Sequence, residues 1–233
     1  MKAQISLVEI VDRINEIEQQ GELLTVDQKE ITKLTLKKFY SRDPNYLGLT
    51  IPEFDFEQGG QLFTGERLHT RMGIHTVLSL EVCRAILSLT GFQDDLKEMM
   101  DEIDHRLLRK CYVKDYCVLG ECAFAALAFW RYLLVSDWSD SELRVQNYVR
   151  ILRENRDGFG GWKHFPFYYT LFVLQETQLP DAREELAYAL PACQTHLPNL
   201  VIREPFRSRR TMILNYCVSI LPKARAEAWS LGI

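Results

Sequence analysis

The sequence predicts an all-α fold built from repeated two-helix units, and three observations carry that expectation. No proline stands between Pro52 and Pro166, which leaves room for long uninterrupted helices. Segments rich in apolar and small residues alternate with charged, amphipathic ones. The charged segments begin at Asp94, Ser139 and Pro180, 45 and 41 residues apart, within the period of helical repeats.

The elements follow in order. Ile5, Val8, Ile10, Val11, Ile14 and Ile17 fall at helical spacing and predict an amphipathic helix ending near Gly21. Thr25 and Gln28 have the spacing of a capping box before Ile31, Leu34 and Leu36, and Ser41-Arg42-Asp43-Pro44 stops this second helix. Residues 1–43 are therefore expected to be an appended helical pair. Residues 44–72 mix Pro44, Pro52, Gly48, Gly59, Gly60 and Gly65 with Tyr46, Phe54, Phe56 and Phe63. That mixture reads as an irregular linker packed on the body through its aromatics.

Residues 73–233 hold the repeat. Thr76–Leu89, Leu119–Leu133, Phe165–Gln175 and Arg209–Leu221 are apolar nearly all round, whereas the segments opening at Asp94, Ser139 and Pro180 keep a polar face. Asp or Ser stands near each charged start, in a position suited to capping. A shift of 40 residues superposes Glu81, Ala85 and Leu87 on Glu121, Ala125 and Leu127. Helices that are apolar all round belong inside, and their amphipathic neighbours cover them. The expected architecture is thus an α/α toroid or partial toroid, with an open solenoid as the second choice.

Bulk properties narrow the function. The 233 residues are 47% hydrophobic and 26% charged, with a net charge of −4, as for a globular protein without global attraction to nucleic acid. No apolar run reaches the roughly 18–20 residues of a membrane helix, and the N-terminus has no apolar signal core. A cytoplasmic protein with reduced thiols at Cys83, Cys111, Cys117, Cys122, Cys193 and Cys217 is expected.

Two stretches bring a family into view. GFGGWKHFPFYYTLFVL (Gly158–Leu174) and LGECAFAALAFWRYL (Leu119–Leu133) resemble inner helices of the terpenoid cyclases and protein prenyltransferase β-subunits, over about residues 73–221. The resemblance implies an α/α toroid with a central apolar pocket. It also exposes departures. The prenyltransferase zinc ligands are an Asp and Cys in D-x-C and a His in Y-H-T; here those places read Gly120-Glu121-Cys122 and Tyr168-Tyr169-Thr170. A different D-x-C, Asp115-Tyr116-Cys117, lies just upstream. The D-x-D-D acid of the cyclases does not occur, and Arg156 stands where the Q-x-x-x-G-x-W repeat has Gln.

In such a ring the inner-helix starts aim their positive dipole ends at a shared mouth. His75, Cys117, Glu121, Cys122, Trp162, His164, Tyr168, Tyr169, Arg207 and Arg209 are the residues expected there. Arg203, Arg207, Arg209 and Arg210, with Arg67 and Arg71, suit phosphate or pyrophosphate, or form a solvated face paired with Glu66 and Glu204. No C-x-x-C or H-x-x-x-H fixes a metal, so no cofactor is assigned; zinc would draw on Cys117 or Cys122 with His75 or His164. No motif compels a reaction. Two functions compete: binding of an apolar or isoprenoid-like molecule in the central pocket, and a non-catalytic helical-repeat scaffold for a protein partner, its centre plugged by Phe124, Trp162 and Tyr168.

Overall fold

The computed structural model describes residues 6–43, 47–57, 60–91 and 93–230. Among them are eleven α-helices: α1 (Leu7–Gln20), α2 (Val26–Lys37), α3 (Glu53–Glu57), α4 (Arg71–Thr90), α5 (Asp94–Leu107), α6 (Cys111–Lys114), α7 (Cys122–Leu133), α8 (Ser141–Glu154), α9 (Phe167–Glu176), α10 (Pro180–His196) and α11 (Phe206–Ser230). The all-α class is as expected. Ile5, Pro44, Tyr46 and Gly59 lie outside the described residues.

The chain forms two compact units. The first comprises residues up to Leu62 together with Arg67–Glu142; the second comprises Phe63–Glu66 and Leu143 onward. In the first unit α4 is the core helix. Its length and composition would suffice to cross a membrane, yet 89% of its most apolar stretch is buried inside the protein. It packs against α7, α1 and α2. Ala123, Ala125, Ala126 and Ala128 on α7 are all buried, and their small side chains let the two helices approach closely. Around this pair α5 is amphipathic, burying Leu96, Met99, Met100, Ile103 and Leu107 at three- and four-residue spacing.

The second unit repeats the scheme. In α9 every residue from Tyr169 to Leu174 is buried. By contrast α8 buries only Val145, Tyr148, Val149 and Leu152, and α10 buries one stripe containing Ala182, Glu185, Leu186, Ala189 and Cys193. Helices α9, α10 and α11 pack on one another. Phe63 enters this unit by stacking on Phe172, with ring centroids 5.0 Å apart.

Local signals set most boundaries. Ser6 caps α1 through Glu9 N, and Gly21 ends it at φ 67°, a conformation glycine adopts without steric cost. The Thr25–Gln28 capping box forms in both directions. Two expectations change. The N-caps of α5 and α10 are Gln93 and Leu179, neither with a side-chain cap bond. Asp94 and Asp181 instead lie inside the helices, and Asp181, in the first turn of α10, complements its dipole. The shift of 40 also aligns composition rather than position: Glu81 is mid-helix in α4, whereas Glu121 is the N-cap of α7.

Candidate functional site

The helix N-termini where an incoming anion was expected are held by the protein's own carboxylates. In the first unit, Glu121 reaches the start of α4. Its carboxylate accepts from the backbone of His69, from Thr70 N at 3.0 Å, and from Thr70 Oγ1. The same Thr70 hydroxyl accepts from Gly73 N at 3.0 Å. Gly73 makes room for this arrangement, because a Cβ there would push the Glu121 carboxylate out of its place. Burial alone would raise the Glu121 carboxyl, but the bonds from Thr70 and His69 hold it below its ordinary value. One residue thus caps α7 by position and α4 by hydrogen bonding.

The same device recurs. Buried Asp55 accepts from Ser6 Oγ at 2.6 Å and Leu7 N at 3.0 Å, at the start of α1. In the second unit Glu66 accepts from Tyr168 N at 2.9 Å and Tyr169 N at 3.0 Å, at the start of α9. Burial pushes the Glu66 carboxyl above its usual value, against the opposing pull of its hydrogen bonds and the Arg210 charge. Each carboxylate satisfies amides that have no partner within their own helix.

The other residues expected at a mouth also have structural duties. His75 is buried, with Nε2 2.8 Å from the Leu49 carbonyl; Nε2 therefore carries the proton, and burial lowers the ring's pKa. Trp162 Nε1 donates to Glu185 at 3.0 Å. Glu185 is fully buried and also receives Arg153 and Arg156, the latter through two nitrogens at 3.1 and 2.8 Å. Arg156 and Trp162 are thereby tied together through one carboxylate. The Gly158–Gly161 turn wraps Asp157, whose carboxylate accepts from Phe159 N and Gly161 N at 2.7 and 3.0 Å.

Tyr168 OH lies 3.2 Å from His196 Nδ1, with the Arg210 guanidinium 3.9 Å above its ring. Tyr169 is buried in the core, and Arg209 donates to the Phe63 carbonyl at 3.2 Å. Arg210 donates to Thr64 O at 2.7 Å. His164 and Arg207 are exposed, and Arg71 forks onto Glu53 at 2.7 and 2.8 Å. Phe129, Trp130, Tyr169 and Phe172 are packed in the core.

Among the described residues, a thiol cluster and a groove are open to ligands. Cys117 and Cys122 meet Cys111, and the three sulfurs lie within 4.8 Å of one another. Burial and the neighbouring thiols push Cys122 up to about 12. Separately, an open groove of about 430 Å³ runs between α1 and α2, lined by Ile10, Ile14, Ile17, Leu24 and Ile31 with Glu9 and Arg13 among its polar residues. Beside it Leu23 and Val26 are 90% and 82% exposed, and Ile31 itself 65%.

Sequence reasoning missed Glu66, Glu185 and Cys111 as site-building residues. Nothing local marks the two acids, whose partners lie 102 and 23 residues away in the chain. Cys111 did carry a signal, since it falls six residues before Cys117 and eleven before Cys122. In comparisons with protein-family models, curated proteins and solved structures, nothing matches this chain.

Proposed function

We propose that this chain is a non-catalytic helical-repeat interaction protein, toroid-like in arrangement, that binds a partner protein through its N-terminal helix pair. The observation that carries the reading is the engagement of the helix starts by Glu121 and Glu66. A toroid enzyme presents these N-termini to its substrate; here they are internal joints. The toroid arrangement itself is supported in the first unit by two helices buried nearly all round and lying side by side, α4 and α7, beside amphipathic α5, and in the second by buried α9 beside one-sided α8 and α10.

The partner surface is the α1–α2 groove. Its apolar lining includes Leu24 and exposed Ile31, and Leu23 and Val26, neighbours of Leu24 in sequence, are exposed as well; exposed apolar patches mark interaction sites. A partner helix with apolar residues at i, i+3 or i+4, and i+7 fits such a groove. The second reading, an isoprenoid-like small molecule, is favoured by the groove's volume, which lies within the range of small-ligand pockets.

One experiment separates the two. A displayed library of amphipathic helices is selected on the full chain and counter-selected on Ile31→Glu, an exposed position whose change leaves folding intact. Partner binding predicts helices that hold the wild type and lose at least tenfold affinity for I31E. A fluorescent geranylgeranyl probe that saturates the protein at low micromolar concentration, with no helix enriched, overturns the partner reading.

A further inference from the structure

We propose that Cys111, Cys117 and Cys122 together bind one zinc ion, or a cation of the same thiophilic class. The contrast among the six free cysteines supports this. Cys83, Cys193 and Cys217 are fully buried, Cys83 as a small core group and Cys193 and Cys217 as a pair closed off from solvent, with Gln175 Nε2 donating to Cys217 Sγ at 3.6 Å. The other three differ: Cys111 is exposed and Cys117 and Cys122 are half-buried, yet their sulfurs converge.

The backbone is shaped to bring them together. Cys111 opens α6, Cys122 opens α7, and Cys117 lies in the connection. That connection reverses through two left-handed residues, Tyr116 at φ 52° and Gly120 at φ 55°, the former in a region a tyrosine seldom adopts. Cys117 N donates to the Cys111 carbonyl at 3.3 Å, which closes the loop over α6.

The distances suit the ion. Zinc–sulfur bonds of about 2.3 Å in a tetrahedral site place two sulfurs about 3.8 Å apart. Cys111 Sγ and Cys122 Sγ are 3.6 Å apart, and Cys117 Sγ lies within 4.8 Å of both. Cys122 stands at the first position of twelve-residue α7, which anchors the third sulfur on a regular helix. On binding, each thiol releases its proton to solvent and its sulfur donates a lone pair to the cation. Three protein ligands leave a fourth position, which solvent reaches past exposed Cys111. The set keeps both thiols that the sequence offered to zinc, Cys117 and Cys122, adds Cys111, and uses neither His75 nor His164.

The test uses the full chain without an affinity tag, purified reduced and stripped with a chelator, then titrated with Cd²⁺ and Co²⁺. Zinc affinity follows from competition with a chromophoric chelator. The expected result is thiolate-to-metal charge-transfer absorption saturating at one cation per chain. Cys111→Ser and Cys117→Ser, at surface and loop positions, should each weaken binding by more than the ~10–100-fold that loss of a supporting group costs. His164→Ala should leave it unchanged. Absence of the charge-transfer band in fully reduced protein overturns the proposal. So does binding that survives both cysteine variants while their circular dichroism matches wild type, or binding that His164→Ala abolishes.

Discussion

Arg131→Met should be among the most damaging single substitutions in the first unit. Arg131 on α7 is fully buried and pairs with Glu81 on α4, itself buried, while donating to Asn15 Oδ1 on α1 at 2.9 Å. Arg84 shares the cluster, bonded to Asn15 at 2.8 Å and to Glu18 at 2.8 Å. The two arginines and two glutamates balance in charge. Removing Arg131 alone takes from Glu81 its closest charge partner, with Arg84 Nε at 3.5 Å. Stranding one member of a buried pair costs about 3–5 kcal/mol. At roughly 2–4 °C per kcal/mol for a chain of this size, Tm should fall by about 6–20 °C. Replacing both partners, Glu81→Leu with Arg131→Met, removes the imbalance while Arg84 keeps Glu18 and Asn15. Such replacements are often neutral or stabilising, so the double variant should recover most of the loss. Urea and thermal unfolding of the four proteins give the coupling energy directly. The reasoning fails if R131M loses less than about 1 kcal/mol, or if the double variant is no more stable than R131M.

Two further outcomes test the carboxylate joints. Gly73→Ala should destabilise by about 1–3 kcal/mol, as overpacking does, and Glu121→Ala by about 1–2 kcal/mol through the lost cap. The double variant should lose less than their sum, because the clash vanishes with the carboxylate; additive losses in thermal unfolding would refute the contact. Glu66 gives a pH signature. Its folded pKa is raised, so its contribution favours the fold below the unfolded value of about 4.3 and is lost as pH rises through the folded value. Glu66→Gln should therefore gain on wild type as pH climbs above about 4.3. A stability difference that stays flat with pH, measured by urea unfolding, would contradict the burial argument.

What the sequence made legible was local. Gly21 and the Thr25–Gln28 box act over a few residues, and the contrast between all-round apolar and one-sided helices is a property of each segment alone. It predicted that α4, α7 and α9 are buried, but the expected fourth such segment at Arg209–Leu221 is one-sided over its described side chains: Ile213, Leu214 and Cys217 are buried whereas Asn215 and Tyr216 are exposed. The site was less legible because its meaning lies in pairings. Glu121 was singled out as a ligand group, yet its partners, His69 and Thr70, are 52 and 51 residues away. Glu66 passed as a surface counter-ion until α9 was laid over it. The cysteines illustrate the boundary: their spacing is visible, but the left-handed turns at Tyr116 and Gly120 that gather them are set by tertiary context.

A carboxylate anchored at a helix start is, for any visiting phosphate or carboxylate, a resident competitor. Tethered groups act at effective concentrations in the millimolar range or above, and Glu121 and Glu66 are held by the fold rather than by a flexible linker. A free anion gains the amides of α4 or α9 only by evicting a group that never leaves the vicinity, so its apparent affinity is reduced by the whole strength of the internal bond. Anion recognition on this scaffold is therefore latent: neutralising a single acid unmasks it, with no new positive charge needed.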